Sequence, residues 1–299
     1  ALEPSANPAL AGGPLTLAAT VSGSHGVPTG TVTFKEGSTV LGSGSLNASG
    51  QATCDASALA VGTHTIIADY GGDLTYYGGS ATLSQQVRLR HTTTSISAPA
   101  VTYHGDAAVV VTVSSTEGAP TGNVALKVDG GAEQVKGLIA GKASYTLASP
   151  TVGDHTLDAT YAAQGNFGAS TAAATLHVNP AATTTTVNAS PAAPVYGQSV
   201  TFTATVTAMA PGSGTPTGTV TFMDGATVLG SAVLDGSGKA TLSTASLAVG
   251  ARTISVEYAG DGNYTTSSGT CSLTVKRADT TTALVAAPAA SVCGQGVTF

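Results

Sequence analysis

The sequence contains no tryptophan and very little charge, and each shortage narrows the class of protein. Only 9% of its 299 residues are charged, and the 10 lysines and arginines are scattered along the chain. A net charge of −6 without a basic cluster offers no electrostatic footprint for a phosphate backbone. No apolar run approaches the roughly 18 residues that a membrane span needs. We therefore expect no nucleic-acid partner and no membrane insertion by this segment.

Cysteine is equally scarce, with only Cys54, Cys271 and Cys293. An odd number of cysteines at non-matching places does not form a disulfide framework. Cys54 and Cys271 fall on inward positions of predicted strands and are expected to act as small hydrophobic side chains. Cys293 lies near a predicted turn, and an intermolecular disulfide through it is the alternative. We expect stability to come from packing.

Recognisable catalytic motifs are missing as well. The sequence has no Gly-x-Ser-x-Gly elbow, no His-Glu-x-x-His, no Cys-x-x-Cys and no phosphate-binding loop. Catalysis requires a nucleophile beside a base, or paired carboxylates in a pocket, and neither arrangement is recognisable here. We therefore predict that the chain is not an enzyme and that it carries no catalytic cofactor.

What the sequence does contain is an abundance of strand and turn residues. It has 38 Gly and 13 Pro, with long stretches of Thr, Ser, Ala and Val between them. Threonine and valine favour strands, whereas glycine and proline favour tight turns. A hydrophobic content of 42% is too high for a disordered polar tract. These features predict an all-β protein of short strands, long enough for two or three domains.

Internal repeats organise the chain. The tripeptide Pro-Thr-Gly begins at Pro28, Pro120 and Pro216, a spacing of one small domain rather than one solenoid turn. Tyrosines and Val-Gly pairs recur at a closely similar spacing; the tyrosines are Tyr70, Tyr161 and Tyr258. The sequence is therefore a tandem array.

Threonine-rich segments mark the boundaries of the copies, at residues 92–94, 183–186 and 280–282. The predicted domains are repeat 1 (1–90, with a truncated first strand), repeat 2 (91–181), repeat 3 (182–278) and the first strands of an incomplete repeat 4 (279–299). The linkers are short and lack Gly/Ser runs, so neighbouring domains are expected to lie close, end to end. With strands of about ten residues, each repeat is expected to span about 35–45 Å of a semi-rigid rod.

Apolar and polar residues alternate with a period of two inside each repeat. Val200, Phe202, Ala204 and Val206 point to one side, while the threonines between them point to the other. Similar segments recur about seven times in each repeat, separated by turns. This pattern is typical of an immunoglobulin-like (Ig-like) β-sandwich.

Several motifs recur in the same order in repeats 1 and 3. Those of repeat 3 are Pro216-Thr-Gly-Thr-Val-Thr-Phe222, Val228-Leu-Gly230, Leu247-Ala-Val-Gly250 and Tyr258-Ala-Gly-Asp-Gly-Asn-Tyr264. With these motifs the chain resembles the bacterial Ig-like domain of group 3, and repeat 2 is more divergent. The resemblance implies a spacer or adhesin module of bacterial surface proteins, but a fold alone does not set an activity.

We expect the chain to be a stalk, spacer or fibre body of a secreted or cell-surface bacterial protein, with the neighbouring repeats as its partners. One alternative is an adhesin or a module that binds a carbohydrate or a protein. Tyr76, Tyr77 and Tyr264 follow the Tyr70 and Tyr258 strands and are the candidates for stacking on a glycan or contacting a surface ligand. Another alternative is an accessory region of a large secreted hydrolase.

Two groups of loop residues carry further hypotheses. Asp73, Asp261 and Asp279 are candidates for binding Ca²⁺ between domains, although so few oxygen ligands favour a role in turns. His64 and His155 occupy the position at which antibody-type domains place a tyrosine that ties the corner to nearby backbone, and we expect the same task of them.

The segment from Thr280 onward contains only the opening strands of a sandwich. Val297 and Phe299 would have no core of their own to enter. One interpretation is that the rest of the fourth domain lies outside the sequence. The alternative is that these strands complete a neighbouring subunit by strand addition and so assemble a filament.

Overall fold

The computed structural model describes residues 1–285 and 292–296, and within them the secondary structure consists of strands and turns. No helix long and apolar enough to cross a membrane occurs in these described residues. By its internal contacts the chain divides into two units. The first comprises Ala1–Pro99, Ala108–Leu147 and Asp154–Leu176, and the second comprises Ala100–Ala107, Ala148–Gly153 and the chain from His177.

Repeat 1 is built from two sheets. Its strands are β1 (Leu2–Pro4), β2 (Ala9–Leu10), β3 (Thr16–Thr20), β4 (Thr31–Glu36), β5 (Thr39–Ser45), β6 (Gln51–Asp55), β7 (Gly62–Tyr70) and β8 (Gly79–Arg88). The sheet orders are β1-β3-β6 and β2-β8-β7-β4-β5. Neighbouring strands are antiparallel except β2 and β8, which are parallel. Leu17, Phe34 and Ile66 are fully buried in the core of this repeat.

Repeat 2 follows the same plan. Its strands are β9 (Thr93–Ser97), β10 (Val101–Thr102), β11 (Ala107–Ser114), β12 (Asn123–Val128), β13 (Gln134–Gly137), β14 (Lys142–Leu147), β15 (Gly153–Tyr161) and β16 (Ser170–Asn179). The sheet orders are β14-β11-β9 and β10-β16-β15-β12-β13. The buried tyrosine Tyr145 donates its hydroxyl hydrogen to the carbonyl of Val124 at 2.8 Å, so its polar end is satisfied inside the core.

Repeat 3 is also built from two sheets. They are β17 (Thr183–Ser190), β18 (Val200–Ala208), β19 (Thr219–Asp224), β20 (Thr227–Val233), β21 (Lys239–Thr244), β22 (Gly250–Tyr258) and β23 (Ser267–Val275). The sheet orders are β17-β18-β21 and β20-β19-β22-β23. A single parallel bridge between Val195 and Lys276 stands where β2 and β10 lie in the other repeats. The predicted all-β architecture of tandem Ig-like sandwiches is therefore confirmed.

The period-two pattern places the core as the sequence predicts. In β18, Val200, Phe202, Ala204 and Val206 are all buried, while the intervening threonines of the strand are half-buried or exposed. At roughly 25 cal/mol per Å² of apolar surface removed from water, such inward rows are the main source of stability. The prediction for Cys54 is also confirmed, because it is buried and lies opposite Leu17.

Candidate functional site

The same corner is found at one end of every repeat, where the Pro-Thr-Gly turn meets the recurring tyrosine. The tyrosine hydroxyl donates to the carbonyl of the turn threonine, in the pairs Tyr70 to Thr29 (2.7 Å), Tyr161 to Thr121 (2.8 Å) and Tyr258 to Thr217 (2.7 Å). Burial raises the pKa of Tyr258 to about 12, so the hydroxyl stays protonated and able to donate. The turn glycine Gly218 has a φ of 96°, a conformation that a residue with a Cβ adopts only with strain.

An acidic residue holds the loop that follows this tyrosine. In repeat 1, Asp73 accepts hydrogen bonds from the amide (2.8 Å) and hydroxyl (2.9 Å) of Thr29 and from the amides of Thr75 and Tyr76 (both 2.7 Å). These bonds, that of the Thr29 amide foremost, hold the pKa of Asp73 well below its usual range. The carboxylate therefore joins its own loop to the Pro-Thr-Gly turn.

The corresponding residues of the other repeats serve the same purpose. Asp261 accepts from the amide (3.2 Å) and hydroxyl (2.6 Å) of Thr217. In the divergent repeat 2, Gln164 replaces the aspartate, and its Oε1 accepts from the amide of Asn123 at 2.8 Å. The turn-forming interpretation of Asp73 and Asp261 is therefore the one that the geometry supports.

The proposed Ca²⁺ role of these aspartates stays a prediction. Both oxygens of Asp73 and of Asp261 already accept hydrogen bonds from their own loop and turn. Asp279 is exposed beyond the end of β23. Within residues 1–285 and 292–296, no group of three or more His, Cys, Asp or Glu residues is arranged to hold a metal ion.

The loop ends in an aromatic side chain, which is Tyr76, Phe167 or Tyr264 in the three repeats. The carbonyl of each accepts from the amide of the residue three positions earlier, in the pairs Asp73 to Tyr76 (2.9 Å), Gln164 to Phe167 (3.0 Å) and Asp261 to Tyr264 (3.1 Å). The repeats thus share one loop geometry despite the change from aspartate to glutamine.

In repeat 2 this loop binds the linker that arrives from repeat 1. The amide of Arg90 donates to the carbonyl of Asn166 (2.9 Å), and the amide of Gly168 donates to the carbonyl of Arg90 (2.8 Å). The Arg90 guanidinium lies 5.9 Å from the ring centroid of Phe167, within range of a cation–π interaction. Its Nε also donates to the carbonyl of Ala11 in repeat 1 at 3.2 Å. Arg90 therefore contacts both repeats.

An ion pair strengthens this junction. Arg88 of β8 donates two hydrogen bonds to the carboxylate of Glu117 in repeat 2, at 2.6 and 3.0 Å. The amide of His91 donates to the same carboxylate at 2.8 Å. The Arg88 hydrogen bonds, followed by that of His91, lower the pKa of Glu117 to about 2. A bidentate pair of this kind fixes the relative orientation of the two side chains as well as the distance between them.

Repeat 3 uses the same backbone contacts with a different aromatic pair. The amide of Ala181 donates to the carbonyl of Asn263 (2.8 Å), and the amide of Thr265 donates to the carbonyl of Ala181 (2.9 Å). The ring of Tyr264 packs edge to face on Tyr103, with centroids 5.6 Å apart. Ala181 therefore takes the place that Arg90 takes in repeat 2.

The three tyrosines that are candidates for stacking on a ligand differ in exposure. Tyr264 is 4% exposed and donates its hydroxyl hydrogen to the carbonyl of Ser213 at 2.9 Å. Tyr76 is half-buried beside Gly23. Tyr77, in contrast, is 99% exposed, and Leu74 in the same loop is also fully exposed. Tyr77 therefore remains a candidate for stacking on a sugar, and the half-buried Tyr76 remains a weaker one.

A second tie lies at the other end of the same strand, where the histidine comes near the start of β7 and Tyr70 is the last residue. Nε2 of His64 lies 2.8 Å from the carbonyl of Ala60, which confirms the expected tie to nearby backbone, and Nδ1 lies 2.8 Å from Glu36. The Ala60 carbonyl, together with Glu36, raises the pKa of His64 although burial opposes them. In repeat 2, Nδ1 of His155 lies 2.7 Å from Asp129.

Repeat 3 makes the same tie with an arginine. Nε of Arg252 donates to the carbonyl of Ala248 at 3.0 Å, and its Nη1 lies 3.5 Å from Asp224. Sequence reasoning missed the acidic partners at this end of the repeat. The available signal was that an acid follows each Pro-Thr-Gly turn near the end of the next strand, as Glu36, Asp129 and Asp224 do.

Repeat 1 also contains a cavity of about 290 Å³ between its two sheets. Its lining includes Ala1 and Val21 on one side and Tyr70, Tyr77 and Gly79 on the other.

The three candidate assembly residues lie elsewhere. Thr280 is exposed after β23, whereas Val297 and Phe299 lie outside the described residues.

The paired sheets and the repeated corner define a tandem array of Ig-like domains. A scan of family models matches the bacterial Ig-like domain (group 3) at residues 2–88, 93–179 and 186–276. These matches cover most of the chain, which therefore belongs to the bacterial Ig-like domain family of group 3. A search of curated protein sequences gave no match.

Several solved structures are similar in fold. Invasin, a bacterial integrin-binding protein, has 14% identity over 93% of this chain and 60% of its own, with a TM-score of 0.42. The Escherichia coli adhesin FdeC has 14% identity over 92% of this chain and 96% of its own, with a TM-score of 0.34. A three-Ig fragment of titin has 13% identity over 93% and 99%, with a TM-score of 0.35. Similarities at this level carry no argument about function.

Proposed function

We propose that this chain is the non-enzymatic repeat region of a bacterial extracellular or cell-surface protein, acting as a spacer or fibre body. The observation that carries the proposal is the repeated junction loop. In repeats 2 and 3 the same backbone hydrogen bonds clasp a linker residue, Arg90 or Ala181, and the loop aromatic packs beside it. Each of these repeats is therefore built to hold the chain that precedes it.

The polar groups of the corners are engaged in structure, which supports a mechanical rather than a chemical role. Asp73 receives donors from its own loop and turn, and Glu117 receives Arg88 and the amide of His91. A carboxylate that acts as a base or nucleophile needs access to a substrate proton or carbon. These two carboxylates instead fix a turn and a junction.

Rigidity of the first junction tests the mechanical part of the proposal. We expect ¹⁵N relaxation to give one common tumbling time for amides of repeat 1 and of β12 and β15, because Arg88 and Glu117 hold them together. Glu117→Ala should separate the two tumbling times. Glu133→Ala is the matched control, since Glu133 forms only an exposed pair with Lys127 at 3.2 Å. Independent tumbling in the unmodified chain would contradict the proposal.

Exposure on the cell tests the proposed location. Intact cells of the producing bacterium, treated briefly with trypsin, should release peptides that contain residues of repeats 1–3. A cytoplasmic protein measured in the same supernatant controls for lysis. Release of these peptides only after lysis would argue against a surface or secreted protein.

An adhesive role for repeat 1 is a second candidate, favoured by the fully exposed Leu74 and Tyr77. Large exposed apolar side chains in one loop are a common feature of interaction sites. A glycan array and a panel of host matrix proteins should then bind the unmodified chain and lose the signal in Tyr77→Ser. Equal binding by both proteins would remove this candidate.

A further inference from the structure

We propose that the edge strand β20 of repeat 3 pairs, in antiparallel fashion, with β20 of a second copy of this chain. The contact goes beyond the spacer role, because a spacer needs no site for a second copy of itself. It lies wholly within repeat 3. The argument starts from the hydrogen bonds of β20 and from the corresponding strands of the other two repeats.

β20 is the last strand of its sheet, and alternate backbone groups of the strand point outward. The sheet order is β20-β19-β22-β23. The amide of Leu234 donates to the carbonyl of Gly218 at 2.9 Å. Hydrogen-bonded and non-hydrogen-bonded pairs alternate in an antiparallel ladder, so Ala232, two residues earlier, also bonds to the β19 side. The amides and carbonyls of Ser231 and Val233 therefore point away from β19, toward the open side of the sheet.

The sequence of β20 lacks the residues that usually protect such an edge. Proteins discourage edge-to-edge pairing with charged side chains, with proline or with a covering segment. β20 reads Thr227-Val-Leu-Gly-Ser-Ala-Val233, without a charge or a proline. Val233 is 71% exposed and Val228 is 60% exposed. An uncharged edge strand with exposed valines is suited to the addition of another strand.

The corresponding strand of repeat 2, β13, carries a charge at this place. Lys136 takes the position of Ala232, since each lies opposite a buried valine of the preceding strand. The Nζ of Lys136 donates to the carbonyl of Ser144 at 2.6 Å. A strand that docked on β13 would have to displace or bury this ammonium group, which is costly. The edge of repeat 2 is therefore protected.

The corresponding strand of repeat 1, β5, is covered more closely by the opposite sheet. Gly44 takes the position of Ala232, and a Cβ added to it would lie only 2.6 Å from the carbonyl oxygen of Thr53 in β6. Ala232 has that Cβ, so at this point β20 lies farther from the opposite sheet than β5 does. Ser45 stands where repeat 3 has the exposed Val233. Of these three corresponding edges, that of repeat 3 is the one best suited to pairing.

Two copies of β20 fit each other about a two-fold axis at Ala232. In this register Ser231 of each copy lies opposite Val233 of the other, and these are the residues whose backbone groups point outward. Each such pair exchanges two hydrogen bonds. The small side chains of Gly230 and Ala232 lie near the axis and leave room for a close approach. Since β20 carries no charge, the two identical strands meet without repulsion, and the self-complementary contact closes as a dimer.

Antiparallel pairing reverses the direction of the second copy. The two copies of repeat 3 then point their N-terminal ends in opposite directions. Chains displayed in one orientation on a surface do not present β20 to one another in this way, whereas chains on two facing surfaces do. On the cell-surface location proposed above, on which this step rests, the contact is homophilic and joins neighbouring cells.

A single contact of this kind is expected to be weak. Two paired strands of seven residues cover much less than the roughly 1,200–2,000 Å² of a stable protein interface. We expect a dissociation constant on the order of 0.1–1 mM. Many chains on facing surfaces act together, because each contact raises the effective concentration for the next.

NMR of the ¹⁵N-labelled 299-residue chain, over a concentration range that spans this dissociation constant, tests the proposal. The amide signals of Ser231 and Val233 should shift as the concentration rises, because their N–H groups gain acceptors. The amide of Ala232 should shift less, since it already donates toward β19. The amide of Ser45, at the position of Val233 in repeat 1, is the internal control. Signals of β20 that do not change with concentration would overturn the proposal.

Two pairs of variants separate this contact from other self-association. Val233→Lys should weaken pairing by about tenfold, because it places like charges near the two-fold axis of the dimer. Ser45→Lys is its matched control in β5. Ser231→Pro removes an outward amide that β19 does not use, and Ser43→Pro is the control at the same position of repeat 1. All four should keep the circular dichroism of the unmodified chain, and equal effects of a variant and its control would overturn the proposal.

Cross-linking tests the register. With the three native cysteines replaced by alanine, Ala232→Cys should form a disulfide between copies, because it lies opposite itself in a non-hydrogen-bonded pair with Cα atoms about 4.5 Å apart. Ser231→Cys should not, because it lies opposite Val233. A disulfide with Ser231→Cys and none with Ala232→Cys would overturn the two-fold axis proposed here.

Bead aggregation tests the direction of pairing. Beads that carry the chain attached through its C-terminus should aggregate, and so should beads with Ser45→Lys, whereas beads with Val233→Lys should stay dispersed. Pairing in solution without aggregation of the beads would contradict the antiparallel direction. Absence of the chain from the cell surface would contradict the proposed location alone, since pairing in solution does not depend on it.

Discussion

Removing the hydroxyl oxygen of Tyr258 should measure how much the corner hydrogen bond contributes to the stability of repeat 3. Tyr258 is 1% exposed, and its hydroxyl donates at 2.7 Å to the carbonyl of Thr217. Tyr258→Phe keeps the ring and its packing, so the loss is confined to this hydrogen bond. We expect a cost of about 1 kcal/mol if water reaches the freed carbonyl, and up to about 2 kcal/mol if it does not. For a repeat of this size that lowers the midpoint of thermal unfolding by roughly 4–16 °C.

The assay must identify which repeat is affected, because three repeats unfold in one chain. Scanning calorimetry gives the midpoints, and hydrogen exchange with mass spectrometry, read on peptides from β22, assigns the change to repeat 3. The chain has no tryptophan, so intrinsic fluorescence is a poor substitute. Tyr77→Phe is the matched control, since Tyr77 is 99% exposed and should leave every transition unchanged. Equal midpoints for the two variants would refute the role given to the Tyr258 hydroxyl.

Three further predictions concern the junction, the histidine tie and the turn. Folding lowers the pKa of Glu117 to about 2. The stability that its ion pair contributes should be complete above its unfolded pKa of about 4.3 and should fall as the pH drops toward 2. In urea unfolding of repeats 1 and 2, Glu117→Gln should therefore reduce the loss of stability at acid pH. Folding raises the pKa of His64 through the carbonyl of Ala60 and the carboxylate of Glu36. These contacts should stabilise repeat 1 fully below a pH of about 6.5 and weaken as the pH rises through the folded pKa. His64→Gln should therefore cost more stability at pH 5 than at pH 8 in the same assay. Gly218→Ala, at a φ of 96°, should destabilise repeat 3 by about 1–2 kcal/mol, whereas Gly236→Ala, with open space around its Cβ, should be close to neutral in the same unfolding measurement; equal effects of the two would contradict the strain argument.

Much of the fold could be predicted because its information is local. Alternating residues such as Val200 and Phe202 specify a strand and its inward face without reference to any distant residue. The spacing of the Pro-Thr-Gly turns then gives the number of copies. The predicted domain bounds remain predictions, since the sheets show where strands lie and not where one independently folding unit ends.

The junctions could not be predicted, because they depend on residues that are distant in sequence. Nothing local in the sequence shows that Glu117 meets Arg88, or that Tyr264 packs on Tyr103. Tyr264 and Tyr76 occupy the same position of the same motif, and the surroundings differ: one is buried at a junction and the other is half-buried beside Gly23. The exposure of a side chain depends on tertiary contacts, and the motif alone does not specify them.

Small-angle X-ray scattering at low concentration is the most direct test of the proposed spacer role. Three repeats of about 35–45 Å each, arranged end to end, give a length of about 100–130 Å and a radius of gyration of about 30–37 Å. A compact globule of 299 residues has a radius of gyration of only about 19 Å. The spacer proposal predicts a value near 30 Å or above that does not change with concentration. A value near 19 Å would contradict it.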